Sequence, residues 1–198
     1  MEIKIDMQKA EFQIIFKLLQ DKENVNRNYR QLATETGTSI GSVHNTMQGL
    51  MEKGYIVEDG NKRLLRKRAS LLNCWVRAYV DGLKERYLIA RFTFLTPQVK
   101  ERWKDIRMPE DASWGGEPAA ALLDDYLNPE RWDVYTVDNA NALIATGRMI
   151  PKVDGEIYVY RKFWGEKDTP LMMVYADLLA TDDDRCCEAA ERIVKLIG

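Results

Sequence analysis

The sequence predicts an α+β protein: a helical head closed by a β-hairpin, a long connecting helix, and a C-terminal α/β body built on a mixed sheet. Three observations carry that expectation. Apolar residues recur at helical spacing through most of the first 56 residues, an Asp-Gly pair at 59–60 is flanked by aliphatic and β-branched residues, and from residue 88 strand-like runs alternate with helical ones. The expected parts are 1–68, 69–87 and 88–198, sizes that suit two folded domains and a linker helix in a chain of 198 residues.

In QKAEFQIIFKLLQ (8–20), Phe12, Ile15, Phe16 and Leu19 form the stripe of an amphipathic helix, which the polar run DKENVNRN (21–28) ends. Residues 28–56 read as helix, tight turn, helix. Leu32 and Ala33 precede Gly37, and Ile40, Val43, Met47 and Leu50 then recur as an inward stripe. Small Ala33 admits a close second helix, Gly37 permits the left-handed conformation of the turn, and Thr38 or Ser39 is placed to cap the helix that follows and stops at Gly54. YIVEDGNKRLLRKR (55–68) is then a hairpin about Asp59 and Gly60.

Helix-turn-helix followed by a hairpin resembles the winged helix-turn-helix family over about the first third of the chain. The resemblance implies that the helix carrying Ile40 to Glu52 lies in the major groove of double-stranded DNA, its polar face turned to base edges. The outward positions are Ser39, Ser42, His44, Asn45 and Gln48, of which the two amides suit bidentate contact with adenine. Charge distribution agrees. A net charge of -2 over the whole chain argues against a nucleic-acid coat, but residues 1–68 hold 12 basic and 9 acidic side chains, a net of +3, against 17 and 22, a net of -5, in 69–198. Lys62, Arg63, Arg66, Lys67 and Arg68 place five cations in eight residues, enough to neutralise several phosphates. A winged helix used for protein contacts alone, with a merely solvated basic hairpin, stays open as the alternative.

ASLLNCWVRAYVDGLKERY (69–87) presents Leu72, Trp75, Val76, Tyr79, Val80, Leu83 and Tyr87 in an i, i+3, i+4, i+7 pattern, with Gly82 as its weak point. Such a stripe packs domains together or forms a dimer seam, so oligomeric state is left open. In the body, LIARFTF (88–94), WDVYTV (132–137), GEIYVYRKFW (155–164) and LMMVYADLLA (171–180) read as strands; SWGGEPAAALLDDYL (113–127), NANALIATGRM (139–149) and DDRCCEAAERIVKLI (183–197) read as turn and helix. Gly115 and Gly116 free the backbone for a tight turn, Glu117 sits at the positive end of the coming helix, and Pro118 suits its first turn. Asp177 stands amid apolar neighbours, and Asp182 to Asp184 precede Arg185 as capping residues of an Ala-rich helix.

Rare residues exclude several chemistries. Three cysteines, two of them adjacent, do not suit a disulfide framework and point to a reducing compartment; with no apolar run of membrane-spanning length, the expectation is a cytosolic protein. One histidine, His44, is too few for a two-imidazole zinc site, and its place on an outward helix face disfavours a catalytic role. Neither phosphate-cradling glycine motif occurs. A metal nuclease would need paired carboxylates and an acid-x-Lys on neighbouring strands: Asp133 and Glu156 could supply carboxylates, but no Glu-x-Lys or Asp-x-Lys falls in 88–198 and residue 158 is Tyr. A degenerate relative that kept such a fold and lost the chemistry stays open.

Behind the winged-helix pattern, WGGEPAA (114–120) and VYADLLAT (174–181), followed by three acids and Arg185, resemble the AbiEi family of type IV toxin–antitoxin antitoxins, in its branch of transcriptional regulators. The family-motif residues are Trp114, Gly115, Gly116, Glu117, Pro118, Tyr175, Asp177 and Arg185; three acids stand before Arg185 where the family pattern more often has Gly and Pro. The resemblance spans nearly the whole chain. It implies a DNA-binding antitoxin that represses its own operon through the winged helix while its C-terminal domain opposes a partner nucleotidyltransferase toxin; with the exclusions above, the expectation is a protein that is not an enzyme and carries no cofactor or metal.

Overall fold

The computed structural model describes residues 7–137 and 140–197, and the chain divides into two compact units, Met1–Leu83 and Lys84–Gly198. Asn139, which opens one expected helix, and the first six residues lie outside the described ones.

The first unit contains α1 (Lys9–Gln20), a 3-10 turn (Lys22–Asn26), α2 (Tyr29–Thr36), α3 (Ile40–Glu52), an antiparallel hairpin of β1 (Ile56–Asp59) and β2 (Lys62–Leu65), and α4 (Arg68–Ala78). Local chemistry explains each boundary. Asp21 caps the 3-10 turn through the Glu23 N–H, Asn28 caps α2 through the Gln31 N–H, and Ser39 caps α3 through the Ser42 N–H. Gly37 ends α2 in the left-handed region at φ +62°, and its own N–H and that of Thr38 close back on the helix. In the hairpin, Asp59 pairs with Lys62, so the loop is Gly60 and Asn61; glycine at the first loop position with φ +59° is what a tight two-residue turn requires. Val43, Thr46, Met47 and Leu50 bury the inner face of α3. Ile40 does not join that stripe: it is 49% exposed at the first turn, where the helix has only begun to meet its neighbours.

The helix expected over 69–87 is broken. α4 ends at Ala78, a π turn spans Tyr79–Leu83, and Gly82 adopts φ +143° and ψ −5°, outside helical space and open to glycine alone. The α4 stripe is consumed within the first unit, against α1. Trp75 stacks on Phe12 with ring centroids 4.5 Å apart and donates its indole N–H to the Phe12 carbonyl at 3.0 Å, while Tyr79 lies parallel to both rings.

The second unit opens with the single-turn α5 (Lys84–Tyr87) and is a mixture of helix and sheet, with a five-stranded mixed sheet in the order β4-β5-β7-β3-β6. The strands are β3 (Leu88–Phe94), β4 (Ala112–Gly115), β5 (Trp132–Thr136), β6 (Met149–Pro151) and β7 (Ile157–Arg161); β5 and β7 run parallel and the other pairs antiparallel. Between them come α6 (Pro97–Glu101), α7 (Gly116–Asp124) and the short α8 (Asn141–Ala145), and after them α9 (Leu171–Leu179) and α10 (Asp184–Val194). Trp132 and Val134 point to one face with Phe92, Ile157 and Val159, building a core with Ala120 of α7, Leu178 of α9 and Ala190 of α10. Trp103, Trp114 and Trp132 meet edge to face in that core at 5.3–5.8 Å.

The strand expected at 171–180 is instead helix α9. Its residues are buried nearly all round, and a short run without periodicity reads alike for a central strand and a buried helix; Pro170 at the cap and the helix-favouring Leu and Met side chains decide for helix. The helical run expected over 139–149 shrinks to α8, because Gly147 at φ +63° turns the chain into β6. Asp183, within the expected acidic trio, caps α10 through the Arg185 N–H. No helix among the described residues is long and apolar enough to cross a membrane.

Candidate functional site

On the first unit the polar surface is built by α3 and the hairpin. Opposite the buried stripe of α3, the 3.6-residue period brings out Gly41, Asn45, Gln48 and Glu52, with His44 and Ser42 on the flanks. His44, Asn45 and Gln48 are exposed; Ser42 is half-buried. The two serines are engaged with each other, their hydroxyls 2.9 Å apart while Ser39 accepts from the Ser42 N–H at 3.0 Å. Ser42 and Asn45 also line a shallow hollow with Gln8 and Glu11, whereas the ring of His44 meets the edge of Tyr29 at 6.0 Å.

Of the five cations expected on the hairpin, Lys62 and Arg63 lie on β2, Arg66 follows it, Lys67 is the N-cap residue of α4 and Arg68 opens that helix, and they divide by their partners. Lys62, Arg66 and Lys67 are exposed. The guanidinium of Arg63 donates to the Arg27 carbonyl at 3.1 Å and lies over the Tyr29 ring, 5.2 Å from its centroid. That of Arg68 donates to the Leu19 carbonyl at 2.8 Å, satisfying an otherwise open acceptor in the last turn of α1.

In the second unit three of the eight motif residues, Gly115, Gly116 and Asp177, meet at a buried ion cluster. Lys84 donates to Asp133 Oδ2 at 2.6 Å and pairs with Asp177 Oδ1 at 2.8 Å; the three residues are 3%, 1% and 0% exposed. Burial alone would push the lysine pKa down, but the two carboxylates outweigh it and hold the ammonium protonated, above the ordinary lysine range. Arg131 adds a second cation on Asp133 Oδ1 at 3.1 Å and reaches the Tyr160 hydroxyl at 2.7 Å. The Tyr135 hydroxyl donates to both oxygens of Asp177 at 2.8 and 2.9 Å, and the Gly116 N–H donates to Asp177 Oδ2 at 3.1 Å.

The paired glycines exist for this cluster. Gly116 sits at φ +48°, and a Cβ there would lie 2.9 Å from Asp133 Oδ2; a Cβ on Gly115 would fall 2.4 Å from the Tyr135 ring and 3.1 Å from Asp177 Oδ2. Gly115→Ala is therefore expected to lower stability by about 1–3 kcal/mol through overpacking, read as a loss of melting temperature. A variant that melts with the parent would mean the tyrosine ring moves aside freely. Glu117, buried at the start of α7, accepts from the Glu130 N–H at 2.9 Å and the Arg131 N–H at 3.3 Å, so it ties down the loop that delivers Arg131. Trp114 belongs to the aromatic core, Tyr175 packs against it half-buried, and Arg185 pairs with Asp183 at 3.0 Å and Glu130 at 3.1 Å.

Sequence reasoning missed Lys84, Tyr135 and Arg131. The available signal was a lysine lying beside Val80 and Tyr87 in an otherwise apolar stripe, and an aspartate in the middle of WDVYT. Of the two carboxylates weighed for a nuclease, Asp133 lies in this cluster, while Glu156 accepts from the Thr93 hydroxyl at 2.7 Å and shares none of its partners. Two aspartates against Lys84 and Arg131 balance in charge, and Lys84 and both aspartates are sealed from solvent while Arg131 is half-buried, which fits a structural clamp. Among the described residues no group of three or more His, Cys, Asp or Glu side chains is arranged to hold a metal ion.

The profile of one protein family, described as transcriptional regulator, AbiEi antitoxin, type IV TA system, matches residues 63–197. The chain belongs to the AbiEi antitoxin family. The match begins inside the second hairpin strand and takes in α4 and nearly the whole second unit, including the double-glycine turn and Asp177. No curated protein and no solved structure matches this AbiEi chain.

Proposed function

We propose that this AbiEi chain is a sequence-specific DNA-binding repressor of its own promoter, acting in the cytosol. In this reading residues 1–68 are a winged helix-turn-helix, α3 is the helix that enters the major groove and the hairpin is the wing. The observation that carries it is the coincidence, on one unit, of an exposed polar helix face holding His44, Asn45 and Gln48 with an adjoining hairpin flank that leaves Lys62, Arg66 and Lys67 exposed. Asn45 and Gln48 lie where the helix face points outward and present both a donor and an acceptor, so they read bases; Ser42, Ser39 and His44 flank them. Arg63 and Arg68 lie on the same flank and reach phosphates only while keeping their carbonyl partners. Family membership supports the second half of the reading, that the 88–198 domain opposes a nucleotidyltransferase toxin encoded nearby.

Asn45→Ala is expected to change the order of preference among operator variants while leaving the salt dependence of binding intact, measured with a panel of duplexes. Equal loss on every sequence would reassign Asn45 to a backbone contact. Incubation of the chain with labelled DNA from upstream of its own gene, with and without magnesium, separates the alternatives: a retarded band supports the repressor, no change supports a protein-interaction module, and cleavage supports a metal nuclease.

A further inference from the structure

We propose that Asn26 and Tyr29 are positioning residues that fix the hairpin relative to α3, and so set where its cations meet the DNA backbone; the inference rests on the DNA-binding reading above. Two strands of four residues joined by a tight turn are too small to hold a fixed direction alone in water. Because Asp59 and Lys62 close the loop, the next pair, Glu58 and Arg63, is the one whose backbone groups point away from the partner strand. The outer edge of β2 would therefore present the N–H and C=O of Arg63 unpaired.

Asn26, at the end of the 3-10 turn, meets both. Its Oδ1 accepts from the Arg63 N–H at 2.8 Å and its Nδ2 donates to the Arg63 carbonyl at 3.0 Å, as a residue of a third strand would. The same arginine then extends its guanidinium to the Arg27 carbonyl and over the Tyr29 ring, and Tyr29 in turn meets His44 of α3 edge-on. A continuous chain of side chains thus runs from the hairpin, through the segment before α2, to the exposed face of α3. Lys62 is the neighbour of the pinned residue, and Arg66 is held by its own N–H on the Tyr55 carbonyl at 2.7 Å. With the pin in place the backbone carrying Lys62 keeps its place relative to Asn45 and Gln48; without it, binding has to order this end of the hairpin as well.

Asn26 is exposed, so Asn26→Ala opens no cavity and leaves the unfolding midpoint close to the parent's. The test combines amide exchange with fluorescence anisotropy on a duplex from upstream of the gene, titrated with salt. Asn26→Ala is expected to speed exchange at the Arg63 amide, to weaken binding about tenfold, the equivalent of ordering one or two long side chains, and to lower the salt slope by about one. The ranking of duplex sequences stays as in the parent. Tyr29→Phe, which keeps the ring, behaves as the parent. Unchanged Arg63 exchange in Asn26→Ala overturns the pin, and faster exchange with parental affinity and slope overturns its positioning role. A parent chain that binds no DNA overturns the reading on which this rests, while the exchange result still judges the pin.

Discussion

Replacing Lys84 with Met is expected to be the most damaging single substitution in the second unit, lowering stability by about 3–5 kcal/mol in chemical denaturation, because it takes from buried Asp177 the cation it pairs with and leaves buried Asp133 only Arg131. Asp133 and Asp177 are sealed from water, and Arg131 reaches Asp133 alone. Methionine matches the length of the lysine stem, so the loss reports charge rather than a cavity. Lys84→Met combined with Asp177→Asn is expected to recover much of the loss: Arg131 then balances Asp133, and the neutral amide at 177 still accepts from the Gly116 N–H and the Tyr135 hydroxyl. A single variant as stable as the parent, or a double variant no better than the single one, would show that the cluster is not a charge-balanced clamp. The contribution of Lys84 has a defined pH range. Its pKa is raised in the folded chain, so the stabilisation is complete below the unfolded lysine value of about 10.4 and disappears only as pH rises through the higher folded value. Stability across roughly neutral conditions, from about pH 6 to about pH 9, should therefore show no step traceable to this lysine.

The second large effect is expected on the hairpin. Replacing Lys62, Arg66 and Lys67 together with Ala is expected to flatten the dependence of DNA affinity on salt by about two to three in log–log slope, roughly 0.9 for each phosphate that is no longer neutralised, with equal weakening on all sequences. The exposed surroundings of these three residues make the change harmless to the fold. Arg68 is left out of the set because its guanidinium closes the end of α1, so Arg68→Ala should lower stability as well as affinity. A triple variant with the parental slope would show that phosphates are met by another surface, and the hairpin would lose its assigned role.

Much of the fold was legible in the sequence, for identifiable reasons. The α1 stripe, the turn at Gly37, the cap at Ser39 and the hairpin at Gly60 are local signals, each set by residues within a few positions of one another. What failed was decided by distant packing. LMMVYADLL is enclosed on most sides and so shows no period by which helix could be told from strand, and Ile40 stays exposed although Val43, in the same turn of α3, is fully buried. The break at Gly82 was foreshadowed by the glycine but not its extent, which spans five residues as a π turn.

The site divides in the same way. An exposed polar face on α3 follows from helical period, and a basic hairpin from composition, so both could be read directly. That Arg63 and Arg68 also serve carbonyls at Arg27 and Leu19 depends on partners 36 and 49 positions away in sequence. The double glycine was recognised as a turn, but its reason is tertiary: the side chains of Asp133, Tyr135 and Asp177 fill the space a Cβ would occupy. Motif recognition thus located the cluster without revealing that Lys84 is its centre.

The reading of this AbiEi chain as a promoter-binding repressor is tested most directly by anisotropy at about 150 mM salt, comparing a duplex from immediately upstream of the gene with a shuffled duplex of equal length and composition. The upstream duplex is expected to bind at least about a thousandfold more tightly. Equal affinity for the two duplexes, or no binding to either, would contradict it.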